Sequence, residues 1–211
     1  MARLILGATG SVAAVRTPAL FAALRALGHD VRVVATEPAL YFFDPAELGP
    51  AASLARDADE WAGPRYRPGD PVPHIASRNW ADLLVVAPLD ANTLAKFALG
   101  LSDNFLTCLF RAWDFTRPVI LAPAMNTLMW HSPVTARHLR QLLADRGDGG
   151  DAEGPPWSLD EAAEVFARHA PKLVLVPPQA KRLACGDVGM GAMAEVAAIA
   201  ETVRLWDVHD E

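Results

Sequence analysis

Arg3-Leu4-Ile5-Leu6-Gly7-Ala8-Thr9-Gly10-Ser11 is the stretch that decides the fold. Its apolar run, Arg3–Ala8, is too short for a helix and breaks at glycine, as a buried strand does. Residues 12–27 follow it, rich in Ala and Leu, and read as a helix that Gly28 stops. The same rhythm recurs along the chain. Residues 31–36, 82–88 (around Leu83-Leu84-Val85-Val86), 118–122 and 172–177 read as further strands, with Pro88 ending the third. Near-continuous apolar strands separated by helices predict a parallel sheet covered on both faces. The expected fold is therefore a doubly wound, Rossmann-like α/β domain. In such a fold ligands gather at the carboxyl ends of the strands, where this sequence sets Gly10-Ser11, Thr36, Asp90-Ala91-Asn92-Thr93 and Asn126.

The chain has 211 residues and reads as a single domain over 1–211. Residues 45–72 hold five prolines and many charges, and predict a long connection with only local structure. Residues 147–171 read as an extra loop and a short helix. The Gly/Asp/Pro-rich part ends near Pro156, and Ser158-Leu159-Asp160-Glu161 has the capping-box pattern that starts a helix running to about His169. A net charge of −6 argues against non-specific nucleic-acid binding. No apolar run reaches the roughly 18 residues of a membrane span, and the start of the chain has no signal-peptide pattern. Two cysteines in unlike contexts, Cys108 and Cys185, predict reduced thiols in a cytoplasmic protein and no zinc-finger spacing or other metal site.

Several stretches carry chemistry, each with a plainer reading beside it. Gly7-Ala8-Thr9-Gly10-Ser11 sits where a strand meets a helix, so its free N–H groups suit an anion; it also suits a mere tight turn, and the spacing is not Gly-x-Gly-x-x-Gly. Glu37 can imitate the acid that holds an NAD ribose, but the glycine fingerprint is missing. Asp90 or Asn92 can line a ligand or cap the next helix. Ala122-Pro123-Ala124-Met125-Asn126-Thr127-Leu128-Met129-Trp130 offers small residues beside a versatile amide, while Met and Trp equally suit a core. His74, after Pro73, is either a surface polar residue or a group titrating near neutrality. Lys181-Arg182-Leu183-Ala184-Cys185-Gly186-Asp187-Val188-Gly189-Met190-Gly191 holds three glycines in six residues, a poor helix or strand. It is either a turn around an inert thiol or a lid whose two cations lower the Cys185 pKa.

Together these segments resemble the phosphopantothenoylcysteine decarboxylase family, within the homo-oligomeric flavin-containing cysteine decarboxylases. The resemblance rests on Gly10-Ser11-Val12-Ala13-Ala14, Asp57-Ala58-Asp59-Glu60-Trp61, His74-Ile75, Trp80-Ala81-Asp82-Leu83-Leu84, residues 87–93, Ser102-Asp103-Asn104, Leu106-Thr107-Cys108, Arg111-Ala112-Trp113-Asp114, residues 123–130 and residues 181–195. It implies an FMN enzyme of coenzyme A synthesis that turns 4′-phosphopantothenoylcysteine into 4′-phosphopantetheine and CO2. It also implies oxidation of the substrate thiol, loss of CO2 to an ene-thiol, and re-reduction. Carried over by position, Gly10, Ser11 and Val12 hold the FMN phosphate region, with Thr36, Glu37 and Pro38 beside the cofactor. Asp90, Ala91, Asn92 and Thr93 line it, and Ala124 lies against the ring. His74 becomes the catalytic acid/base, and Cys185 the late proton donor. Asn126 binds the substrate carboxylate, while Arg182, Ala184 and Met193 close over the substrate. The resemblance further implies trimers or dodecameric assemblies of trimers, with residues 104–113 as a contact that would serve a core equally well. Three rival readings are a peptidyl-cysteine decarboxylase, a non-catalytic phosphatase regulator with an acidic tail, and a flavin prenyltransferase.

Overall fold

A computed structural model describes residues 1–50, 52–61, 63–147, 157–182 and 188–207. The elements that carry the sheet begin with β1 (Arg3–Ala8), a 3-10 turn (Val12–Arg16), α1 (Thr17–Ala26) and β2 (Asp30–Ala35). Next come β3 (Ser53–Arg56), α2 (Asp57–Glu60), α3 (Pro73–Trp80), β4 (Leu83–Leu89), α4 (Ala91–Leu99) and α5 (Phe105–Arg111). The chain continues through β5 (Val119–Pro123), α6 (Thr127–Trp130), α7 (Pro133–Arg146), α8 (Ala162–His169) and β6 (Leu173–Leu175). A hairpin of β7 (Gln179–Arg182) and β8 (Val188–Ala192) precedes α9 (Val196–Asp207).

Six strands pair in parallel in the order β3-β2-β1-β4-β5-β6. The direction of winding reverses between β1 and β4, which makes their carboxyl ends the switch point of the sheet. Alternation along each strand feeds two cores. Leu4 and Leu6 face α1 and α9, where Leu20, Leu24, Ile199 and Val203 are buried. Ile5, Leu84 and Leu121 face the opposite layer, filled by Phe97, Phe105, Phe110, Trp130, Leu139 and Phe166. Phe105, Leu109, Phe110 and Trp113, within the stretch 104–113, are buried in the chain's own core. No helix among the described residues is long and apolar enough to cross a membrane.

The structure departs from the sequence reading at four places. Residues 45–72 contain the edge strand β3, whose Ser53-Leu54-Ala55-Arg56 pairs with residues 32–35 of β2. Its half-exposed, four-residue sequence has no strand signal of its own; the neighbouring strand supplies the pairing. Pro88 does not end β4, which runs to Leu89 with a shift of register against β5. The capping pattern at Ser158 forms, with Ser158 N and Oγ both donating to Glu161 Oε2 at 2.7 Å, but regular helix starts only at Ala162. Residues 148–156, expected to be a loop, lie outside the described residues. The fourth departure, the hairpin, belongs to the site.

Phe110 is the keystone of the second core: its ring stacks on Phe97 at 3.7 Å and meets Phe115 edge-on at 5.3 Å. Phe110→Ala should lose about 3–5 kcal/mol of folding free energy, read from urea denaturation at fixed protein concentration. A loss under about 1 kcal/mol would mean that the neighbouring rings refill the space.

Candidate active site

The ends of β1 and β4 are laced together by a buried hydroxyl. Thr9 Oγ1 donates to Pro88 O at 2.8 Å and accepts from Asp90 N at 2.7 Å. This holds Gly10-Ser11 beside residues 90–93. Ser11 caps the 3-10 turn by accepting from Ala13 N at 3.3 Å, and Asp90 caps α4 by accepting from Thr93 N at 2.8 Å. The helix-cap reading of Asp90 is thus correct, and it leaves Ala91 and exposed Asn92 in the first turn. Gly10 is required by close approach, because a Cβ there would lie 2.6 Å from Pro38 Cβ. Thr36 lies at the carboxyl end of β2. It is buried, and its Oγ1 has no hydrogen-bond partner among the described residues. Glu37 is exposed, and its N–H donates to Asp57 at 2.8 Å. Burial pushes the Asp57 carboxyl above its ordinary range despite that bond.

His74 stands apart from this junction, in the first turn of α3. Its Nδ1 lies 2.5 Å from Oε1 of Glu60, the last residue of α2. The Glu60 side chain is 4 % exposed and that of His74 20 %. A buried carboxylate on Nδ1 fixes the ring and turns Nε2 outward as the working nitrogen. Cys108 of α5 completes a cluster with these two. Burial, reinforced by the Glu60 and Asp103 carboxylates, pushes the Cys108 thiol up, so it is a neutral side chain and no nucleophile.

A third group gathers beyond β5. Ala124 and Met125 are buried, and Asn126 caps α6 by accepting from Leu128 N at 2.8 Å. Met125 N donates to Gly191 O at 2.9 Å, which fastens β8 to this turn. Gly191 has φ +133°, and a Cβ there would fall 2.2 Å from Met125 O; one at Gly189 would fall 2.7 Å from Thr127 Oγ1. The glycines read as strand-breaking are therefore strand residues, and they let β8 lie flat on residues 125–127. Ala184 and Cys185 lie outside the described residues, and Arg182 contributes its backbone, paired with Val188. Met193 is buried with Ala124 in the core facing α1 and α9. Lys181 is not spare charge for a thiol: its ammonium pairs with Glu195.

The structure thus brings together the glycine turn, Thr36, Pro38 and residues 90–93, and separately joins Asn126 to the cysteine hairpin. His74 is joined to Glu60 by a hydrogen bond. Sequence reasoning missed three working residues. Thr9 was hidden in a turn whose glycines drew attention. Glu60 appeared only within the segment Asp57-Ala58-Asp59-Glu60-Trp61 that carries the resemblance, with no role of its own. Glu195 gave no sign that it would anchor the hairpin.

A buried parallel sheet with polar loops converging at its switch point defines a nucleotide-type binding protein, and comparison gives the class: the Flavoprotein family model matches residues 1–149, and the chain belongs to that family. Among its relatives, the phosphopantothenoylcysteine decarboxylase of Arabidopsis thaliana is 47% identical over 97% of this chain and 84% of its own length. That of Mus musculus is 44% identical over 96% and 85%. A solved mutant PPC decarboxylase complexed with pantothenoylaminoethenethiol superposes with TM-score 0.79 at 46% identity, over 97% of both chains. The FMN binding protein AtHal3 gives 0.77 at 45% identity, over 100% of this chain and 99% of its own.

Glu195 ties the hairpin base to the first strand's turn. It accepts from Arg16 at 2.6 Å, from Gln179 at 3.0 Å and from Lys181, and these bonds hold its carboxyl down to about 2 from an ordinary 4.5. A carboxyl depressed in the folded state binds fewer protons than in the unfolded chain. Its stabilisation is therefore complete above about pH 4.5 and is lost as pH falls toward 2. In urea titrations across that window the wild type should lose stability relative to Glu195→Gln, whereas parallel curves would show that the three donors contribute nothing net.

Proposed function

We infer that this chain is an FMN-dependent decarboxylase that converts 4′-phosphopantothenoylcysteine to 4′-phosphopantetheine and CO2 in coenzyme A synthesis. The observation that carries the reading is the seating of β8, the strand that follows the cysteine-bearing segment in the chain, on residues 125–127 around Asn126. Two observations suit the flavin. The unpartnered Thr36 hydroxyl offers a buried polar atom at the switch point, and Gly10 keeps backbone where a side chain would fill the cradle. Gly10, Ser11, Val12, Thr36, Glu37, Pro38, Asp90, Ala91, Asn92, Thr93 and Ala124 would hold the FMN.

When bound, FMN supplies a reversible two-electron acceptor that side chains lack. The chain's own residues then bind, orient and move protons. Asn126 holds the substrate carboxylate by N–H donation. His74, oriented by Glu60, takes the thiol proton at Nε2. Arg182 and Ala184 cover the substrate and exclude water. Cys185 returns a proton to carbon after CO2 has left, since a thiol is tunable to working pH.

Purified protein should be yellow, and with this substrate it should release a thiol lighter by one CO2 by mass. Cys185→Ser should keep its FMN and still release CO2, yet accumulate the unsaturated ene-thiol. Full yield of saturated product from that variant would remove Cys185 from the role, and a yellow protein inert to the substrate would redirect the reading to another cysteine carboxylate.

The substrate is a small molecule, and we propose that the working unit is a homo-oligomer, a trimer or an assembly of trimers. Val12, Val15, Leu128 and Met129 support this: they are 49, 53, 81 and 48 % exposed apolar residues that follow β1 and β5, beside the site. Sedimentation should give a multiple of the 22.7 kDa chain, and Leu128→Lys should lower it; a fully active monomer would refute the proposal.

A further inference from the structure

Glu60, His74 and Cys108 bring a carboxylate, an imidazole and a thiol together from three separate elements, their ligand atoms all within 4.8 Å of one another. One of these groups lacks a full set of partners. The Glu60 side chain is 4 % exposed, and while Oε1 meets His74, Oε2 has no hydrogen-bond partner among the described residues. A buried carboxylate left half-satisfied is costly unless a cation or donor completes it. The Cys108 thiol donates to Ser102 O at 3.5 Å.

We propose that Glu60, His74 and Cys108 form a binding site for a thiophilic divalent cation, zinc foremost, whose occupancy withdraws His74 from the reaction. Mixed O, N and S donors are the set that zinc accepts. A tetrahedral zinc site spaces its ligands by about 3.3–3.6 Å, as bond lengths near 2.0–2.3 Å require. The 2.5 Å gap between Glu60 and His74 must open by roughly 1 Å, and the widest approach must close by a similar amount. Side-chain rotation at Cys108 and Glu60 covers that distance without moving the backbone. Binding releases the thiol proton of Cys108 to solvent, while the His74 proton passes by way of solvent from Nδ1 to Nε2, so the ring stays neutral and loses its free basic nitrogen. The two positive charges of the ion are then met by one thiolate and one carboxylate, which leaves the buried site neutral. The 20 % exposure of His74 provides entry and room for a water as fourth ligand.

Inhibition rests on the role given above to His74, whereas binding does not. Chelator-treated, FMN-loaded enzyme is titrated with cobalt(II), whose red d–d bands lie clear of flavin absorption, and with zinc by calorimetry. One ion per chain with tetrahedral cobalt bands is expected. Cys108→Ser should weaken binding by more than the roughly 10- to 100-fold seen when a supporting group is lost, while keeping its flavin and its metal-free activity. Enzyme preloaded with zinc and freed of excess should be inactive as wild type and active as Cys108→Ser. Absence of binding, or equal binding by both proteins, overturns the site and moves any zinc to another thiol. Cys108-dependent binding with activity intact keeps the site but overturns the inhibition, and with it the assignment of His74.

Discussion

The Thr9 hydroxyl, donating to Pro88 O and accepting from Asp90 N, fixes the distance between the two central strand ends. These ends part where the winding of the sheet reverses, and the backbone groups left there need partners. A buried side chain that supplies both an acceptor and a donor closes the gap without water. The neighbours on that edge line up around it: Gly10 is pressed on Pro38, Ser11 and Asp90 start their helices, and Thr36 N donates to Ala8 O at 3.0 Å on the β2 side of β1. Loops on a rigid parallel sheet gain their precision in this way, because the strands do not move and the loops are short.

The second organising contact is between backbones. Met125 N and Gly191 O meet at 2.9 Å only because position 191 has no Cβ. Glu195 then gathers Arg16, Gln179 and Lys181, so the hairpin is tied at its base to the turn after β1 and at its side to the turn after β5. The cation that sequence proximity offered to the thiol is spent in this anchoring.

His74 illustrates how a fold prepares a group it does not yet use. Its ring is fixed by a buried carboxylate from a different helix, with a thiol from a third close by. The dyad sets the tautomer, and the same proximity makes the trio a natural seat for a soft cation. Reactive geometry and metal affinity share their chemistry here, since both need a basic nitrogen beside an anion.

Much of this was open to a reader of the sequence. Apolar runs at residues 3–8, 31–36, 82–88, 118–122 and 172–177 dictated the parallel sheet, because a strand buried on both faces must be apolar throughout. Glycine at 10 and the Pro-Ala-Met-Asn run marked the loops, since close approach leaves a residue-type signature. β3 was not legible, because its four half-polar residues become a strand only when β2 offers its edge. Thr9, Glu60 and Glu195 were not legible either, because a buried polar partner is defined by what it meets, and those partners lie 79, 14 and 179 residues away. The sequence by itself determined the layers, the switch point and the residue types of the site, which depend on local pattern. Tertiary structure alone decided which polar groups face one another, because hydrogen bonds and charge pairs act over a few ångströms that only folding closes.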